Sequence, residues 1–243
     1  MNSTKPIAEY IQFLISRQNL SVTLHPLVPD TVLWDTDLLR FNIHNNAYCL
    51  YLKSCEAAQH HCISKQSRVF EKCRSGSFCG VCYAGVREYV YPISDGQRLV
   101  GFLSVSGYKA ESSSSYLART AERFQLPLDE LQKTYATLKD DLPAKEAVDV
   151  LLTPLCQMLQ LFLMENPCRS SSHGGLSEKV LFYIRKNHNR PITARDICQT
   201  FGCSRTYLST AFKKDTGHTL RQTINDLRID DAKTLLLYSD LSV

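Results

Sequence analysis

The stretch Thr193–Gly217, TARDICQTFGCSRTYLSTAFKKDTG, is punctuated so densely that it leaves the backbone few options. Thr193 stands three residues before Asp196, the spacing of a capping box, so a helix is expected from Ala194 with Ile197 turned inward. Gly202 can take the left-handed conformation of a tight helix exit. Ser204 then caps a second helix, RTYLSTAFKKD, whose Leu208 and Phe212 are four apart and point back at one core. Ahead of this pair, Val180, Leu181 and Ile184 share one side of SEKVLFYIRKNH, a helix that Pro191 cannot continue. The expectation is an all-α domain containing helix, glycine turn, helix.

Opposite Leu208 and Phe212, the second helix presents Arg205, Thr206, Ser209, Thr210 and Lys213. An α-helix fits the major groove of B-DNA, and residues near its N-terminus contact base edges. Arg205 and Lys213 can equally contact phosphate, which adds affinity without sequence choice. An ordinary solvated helix face carries the same residue types, and the distribution of charge distinguishes the two. Residues 177–243 carry 11 Lys and Arg against 7 Asp and Glu, whereas residues 1–176 carry 17 of each. The whole formal charge of +4 therefore lies in the C-terminal part, the sign and placement a phosphate-contacting domain needs. Double-stranded DNA is the expected partner.

The segment Ile192–Val243 resembles the first half of an AraC-type DNA-binding domain. The resemblance rests on Asp196-Ile197, Gly202, Ser204, Leu208-Ser209, Phe212-Lys213, Gly217, Arg228-Ile229, Ala232-Lys233 and Leu235-Leu236. It implies that Thr206, Ser209 and Thr210 face bases and that Arg228–Leu236 belong to a long helix joining two helix-turn-helix units. Thr210 stands where arginine is common in that family, and Thr223 where an aromatic residue is common. The chain ends at SDLSV, where the second unit would begin. The expectation is either a truncated product or a dimer that supplies the second reading helix, since one unit makes fewer contacts.

Upstream, Pro167–Gly175 (PCRSSSHGG) has no apolar periodicity and reads as a linker. Before it the pattern is mixed. A helix is expected over Ile7–Ile15, a strand over Leu20–His25, and helical stretches near Tyr48–Leu52 and Ser67–Phe70. REYVYPI and RLVGFLSVSG read as strands about a turn at Asp95-Gly96, and helices are expected over Ser114–Phe124 and Leu128–Thr137. Over Glu146–Glu165, Val148, Leu152, Leu155, Leu159 and Phe162 form one apolar seam at alternating spacings of four and three. That seam either packs onto its own domain or forms a dimer interface carrying a signal. Asp149, Pro154, Gln157 and Gln160 interrupt the apolar stretch Ala147–Met164, so a membrane span is not expected. Met1–Glu9 shows no signal-peptide pattern, which predicts a cytoplasmic protein.

Six of the ten cysteines, Cys49, Cys55, Cys62, Cys73, Cys79 and Cys82, fall within 34 residues. In a cytoplasmic chain they are expected as thiols or ligands and not as a disulfide framework. Cys49, Cys62, Cys79 and Cys82 form a candidate metal set, for zinc or an iron-sulfur cluster, with His44, His60 and His61 near by. Only Cys79-Gly80-Val81-Cys82 has compact chelate spacing, with a redox dithiol as the alternative for that pair. Buried packing is the plain alternative for all of them. Tyr89, Tyr91 and Phe102 sit at strand spacing and line either a cavity or a core, while Arg87 and Glu88 are placed to fix a small polar ligand.

HNNAYCLYLK, Cys62, CGVCYAGVREYVYPI and GFLSVSGY resemble the sensory domain named after PocR, well over His44–Tyr108 and loosely over Ile7–Leu39. Cys49, Cys62, Cys82, Ala84-Gly85, Glu88, Pro92-Ile93 and Gly101 fall on that motif; Cys55, Cys73 and Cys79 are additions. The resemblance implies a PAS-like fold that senses small molecules, with the motif cysteines in its pocket. The expected ligand set is Cys49, Cys62, Cys82, Glu88 and Tyr91. The predicted fold class is α+β, a PAS/GAF-like sensory domain (1–143) joined by a helix (144–166) and linker (167–175) to a partial AraC-type helix-turn-helix domain (176–243). The expected function is a ligand- or redox-responsive transcriptional regulator, an activator by resemblance. A sequestering partner of a full-length regulator is the alternative. An enzyme is not expected, for no phosphate loop, nucleophile elbow or zinc-protease helix is present.

Overall fold

The computed structural model describes residues 4–27, 33, 36–166, 176–188 and 191–238. The predicted linker, 167–175, lies outside them. The chain parts at Pro167/Cys168 into two compact units, each built about its own core.

The first unit is mixed α+β. It runs through α1 (Lys5–Ser16), β1 (Ser21–Pro26), α2 (Thr36–Leu39), α3 (Ala47–Ser54) and α4 (Glu56–Lys72). Then follow β2 (Phe78–Val81), β3 (Val86–Ser94), β4 (Leu99–Lys109), α5 (Ser113–Phe124), α6 (Leu128–Tyr135) and α7 (Lys145–Glu165). The strands make one antiparallel sheet in the order β1-β4-β3-β2. The β3–β4 hairpin turns where predicted: the Asp95 carboxylate accepts from the amides of Gln97 and Arg98 at 3.0 and 2.9 Å. Gly101 lets β1 come close, because a Cβ there would stand 2.5 Å from the His25 carbonyl oxygen.

Strand alternation gives the sheet two unlike faces. Tyr89, Tyr91, Leu103 and Val105 join Val22 and Leu24 on one face, in a single apolar core with α1 and α7. The neighbours of these residues, His25, Glu88, Val90, Phe102, Ser104 and Ser106, lie on the other. There Val90 and Phe102 pack against Val69 and Phe70 of α4, while Cys49 and Leu52 of α3 pack with Leu117, Leu131 and Tyr135 of α5 and α6.

Helix α7 bears on two expectations. Val148, Leu152, Leu155, Leu159 and Phe162 are all buried in the core of their own unit, packed with α1 and the sheet. This is the first of the two readings of the seam, packing onto its own domain. The Tyr10 hydroxyl donates to the Leu151 carbonyl and the Tyr91 hydroxyl to Asp149 Oδ1, at 3.1 and 2.7 Å, fixing the helix on the sheet. Despite its polar interruptions, α7 is the one helix among the described residues that is long and apolar enough to cross a membrane. Its buried seam gives that composition a different cause, the covering of a sheet.

The second unit is all α: α8 (Leu176–Asn187), α9 (Ala194–Phe201), α10 (Arg205–Thr216) and α11 (Leu220–Tyr238). Val180, Ile184, Ile197, Leu208, Phe212, Leu220 and Ile224 form its core. The caps are those the sequence implies. Thr193 Oγ1 accepts from the Asp196 amide at 3.3 Å, and Asp196 Oδ2 accepts from the Thr193 amide at 2.7 Å. Gly202 ends α9 at φ 61°, and Ser204 Oγ accepts from the Tyr207 amide at 3.3 Å. Ser177 Oγ donates to Asp215 Oδ2 at 2.7 Å, tying α8 to the end of α10.

Candidate functional site

The second face of the sheet carries polar groups where a packed core would be apolar. Helix α4 shows why: Gln59, Cys62 and Gln66 recur at spacings of three and four, one stripe of the helix. Gln59 is buried on that stripe, and Gln66 reaches His25 on β1. The stripe turns polar groups toward the sheet, while Ala58 and Gln59 are the only buried residues of α4.

His25 is central to this polar face. Its ring stacks on Phe102, centroids 4.4 Å apart, and meets His44 edge-on at 5.2 Å. Gln66 Nε2 can only donate, so His25 Nδ1 accepts from it at 3.4 Å, and His25 Nε2–H donates to Ser104 Oγ at 3.0 Å. The Ser104 hydroxyl then donates to His44 Nε2 at 3.0 Å. The relay leaves His44 Nδ1–H as a donor with no acceptor among the described residues. Burial, followed by the charge of Lys53, drives the His25 imidazole down to about 3 and that of His44 well below its ordinary value. Both rings are neutral at pH 7. Ser106, two residues along the same strand, is fully buried and its hydroxyl has no partner.

Thiols and one carboxyl complete the site. Burial is the first cause that raises Cys49, Cys62 and Cys82, Cys49 to about 11. Asn46, which caps α3 by accepting from the Cys49 amide at 2.8 Å, and Lys53 oppose the shift at Cys49. Burial also pushes Glu88 up to about 7. The Glu88 carboxyl has neither hydrogen bond nor ion pair among the described residues. Glu88, Cys62, Cys82 and His44 are strongly desolvated yet each keeps part of its accessible surface. These groups form a partly screened polar cluster. Protonated thiols and neutral imidazoles make it a set of binding groups, with no thiolate at hand.

Of the predicted ligand set, Cys49, Cys62, Cys82 and Glu88 are brought within electrostatic reach of one another. Tyr91 is not: it lies on the opposite face, buried against α7. Tyr89 shares that face, its hydroxyl donating to the Pro143 carbonyl at 2.9 Å. Arg87 pairs with Glu111 and leaves Glu88 alone. The metal set Cys49, Cys62, Cys79 and Cys82 is not assembled. Cys79 lies exposed on edge strand β2 opposite Tyr89, while Cys82 stands in the turn beyond that strand, its amide bonded to Val86. A strand alternates its side chains and cannot close a chelate as a loop would. Among the described residues no three His, Cys, Asp or Glu side chains are arranged to hold a metal ion. Of the other candidate histidines, His61 packs edge-on against Tyr83, 4.7 Å away, and His60 is exposed. The residues that sequence reasoning missed are His25, Lys53, Gln59, Gln66, Ser104 and Ser106, and the polar stripe of α4 was the signal for two of them.

In the second unit, Arg205, Thr206, Ser209, Thr210 and Lys213 are all exposed on α10, opposite buried Leu208 and Phe212. Tyr207, which the sequence reading passed over, is 61% exposed beside them.

Residues 33–163, more than half of the chain, match the family described as the sensory domain found in PocR. The match begins after β1, so His25 comes from outside it. No curated protein and no solved structure matches the chain.

Proposed function

The chain belongs to the PocR sensory-domain family, and from that premise we propose that it is a cytoplasmic transcriptional regulator that binds a small molecule in its first unit and double-stranded DNA through its second. On this reading the sheet and its helices form a PAS-like sensory domain, and α9, the Gly202 turn and α10 form an AraC-type helix-turn-helix. The observation that carries it is α10 itself. Two closed caps and a buried Leu208–Phe212 seam hold it rigid, while Arg205, Thr206, Ser209, Thr210, Lys213 and Tyr207 stand clear of every other element. A rigid helix with small polar and basic groups at its N-terminal end suits the major groove. Thr206, Ser209 and Thr210 would read bases, and Arg205 and Lys213 would hold phosphate. A dimer would supply a second reading helix, and activation is the expected sign of control.

The test is selection of binding sites from a pool of randomised DNA duplexes by the full chain. A sequence motif should be enriched. Arg205→Ala and Lys213→Ala should weaken binding to all duplexes and lower the salt dependence, whereas Thr206→Ala and Ser209→Ala should relax the motif. Recovery of an unenriched pool would sink the reading.

A further inference from the structure

We propose that Cys198 and Cys203 are a reversible modification site, closing to a disulfide across the turn between α9 and α10 when a low-molecular-weight disulfide such as glutathione disulfide takes their electrons. The proposal goes beyond the reading above and stands on the geometry of the second unit, whatever that unit binds.

The backbone of the turn brings the two thiols together. Gly202, at φ 61° and ψ 35°, reverses the chain at the end of α9, and its amide donates to the Cys198 carbonyl. The amide of the next residue, Cys203, donates to the same carbonyl at 3.1 Å. In a helix exit of this kind the residue after the glycine folds back over the last turn of the helix, and the two side chains that meet there are commonly apolar. Here both are cysteine. Their thiols are hydrogen-bonded to each other, and both side chains pack against the core that holds Ile197, Leu208 and Phe212. A disulfide needs Cα atoms about 4.4–6.8 Å apart and Cβ atoms that face each other. The shared carbonyl supplies the first condition and the contact between the thiols the second.

The pair is also within reach of a reagent. Neither thiol is fully buried, and the side of the turn at Gly202 is open, for a Cβ there would meet nothing within 4 Å. The spacing that looked like a dithiol in the sequence, Cys79-Gly80-Val81-Cys82, fares differently. Its two cysteines are three apart along β2 and the bonded residue after it, so strand alternation sends them to opposite faces.

The chemistry is thiol–disulfide exchange. Cys198, deprotonated, attacks one sulfur of the oxidant; the S–S bond of the oxidant breaks and one thiolate leaves. Cys203 then loses its proton and attacks Cys198 Sγ of the mixed disulfide, expelling the second thiolate. The pair gives up two electrons and two protons, and the oxidant departs as two thiols. Burial, then the neighbouring Cys198, raise the Cys203 thiol. The first attack therefore falls to Cys198, and Cys203 acts in the second step, where the held contact offsets its weaker acidity. Closure straps the exit of α9 to the residue before Ser204, the cap of α10, and leaves the hydrogen bonds of the turn in place. In a reducing compartment such a bond is transient and reports redox state. It also removes freedom from the unfolded chain, so the oxidised second unit should be the more stable form.

The experiment treats the full chain, first reduced under argon, with glutathione disulfide and digests it with trypsin without reductant. Cleavage after Arg195 and Arg205 yields one peptide, Asp196–Arg205, that holds both cysteines. It should become lighter by two hydrogen atoms and return to its first mass with dithiothreitol. In the undigested chain, the thermal transition that Leu208→Ala lowers should rise on oxidation by at least about 4 °C. Cys198→Ser and Cys203→Ser should each abolish that rise, and Cys79→Ser should leave it intact. Should either variant fail to fold, the peptide mass of the parent still decides. A peptide that keeps its reduced mass, or that carries glutathione without closing, overturns the proposal. So does closure that leaves the transition in place or lowers it, since the turn would then not hold the geometry of a disulfide. A DNA motif selected by a chain whose pair fails to close would retire this proposal and leave the regulatory reading standing; closure in a chain that selects no motif would do the reverse.

Discussion

At the scale of single residues, burial does most of the chemistry. Glu88 and His25 lie on the same face of the sheet and are shifted in opposite directions by one cause, loss of water, because each is driven to its neutral form. Their consequences for stability have opposite signs. Glu88 holds its proton in the folded chain up to about pH 7, against the lower ordinary carboxylate value. The folded state then binds more protons than the unfolded one over that window, and the contribution of Glu88 falls as pH rises through it. His25 is protonated more readily unfolded, so its contribution is lost as pH falls from 6.5 toward about 3. Glu88→Gln removes only the first term. The variant should be more stable than the parent at pH 8, on the order of 3 kcal/mol for a shift of this size, and the gap should close on approach to pH 4.5. Urea denaturation at the two pH values checks it. An equal gap at both would mean that Glu88 is solvated in the folded chain.

At the scale of elements, the second unit was legible in the sequence because local rules wrote it. Thr193, Asp196, Gly202 and Ser204 act on backbone groups within three or four residues of themselves, so their positions alone located α9 and α10. The same locality makes the cost of their loss separable. Thr193→Ala removes one cap and should cost about 1 kcal/mol. Gly202→Ala forces a side chain into a left-handed φ of 61° and should cost roughly 1–2 kcal/mol. Leu208→Ala opens the core and should cost about 2–5 kcal/mol. Thermal denaturation of the three variants should preserve that order; a Gly202→Ala variant as stable as the parent would show that the turn relaxes. In the first unit the strands of the hairpin and helix α1 were legible by periodicity, but most of α4 was not. Its inward stripe of Gln59, Cys62 and Gln66 has no apolar signal, so only Ser67–Phe70, near the apolar Val69 and Phe70, read as helix. The candidate site was hidden for the same reason. His25 and His44 are joined through Ser104 across 79 and 60 residues of chain, a meeting that sheet register creates and no local pattern announces. Tyr91 was misplaced because alternation shows that two strand residues share a face without showing which face is the site.

At the scale of the whole molecule, the separation into two units has an energetic consequence. The buried apolar side chains of α7 pack with α1 and the sheet, and those of α8, α10 and α11 with one another, while Val150, Leu161 and Met164 of α7 and Ile229 of α11 stay exposed. Each unit therefore owns the burial that stabilises it, and a cavity in one core removes contacts only from that core. Calorimetry of the full chain should resolve two unfolding transitions. Leu152→Ala should lower one of them and leave the other in place, and Leu208→Ala should do the converse. The same division constrains how a ligand could control DNA binding. A ligand in the first unit changes the second only if its affinity differs between two arrangements of the chain, and DNA must then change the ligand's affinity by the same factor. Adding the selected duplex should accordingly shift the ligand isotherm by the factor by which the ligand shifts the DNA isotherm. One merged transition that both variants lower equally would instead make the two cores a single cooperative body, and the coupling between sites would then run through shared folding stability and not through a choice of arrangements.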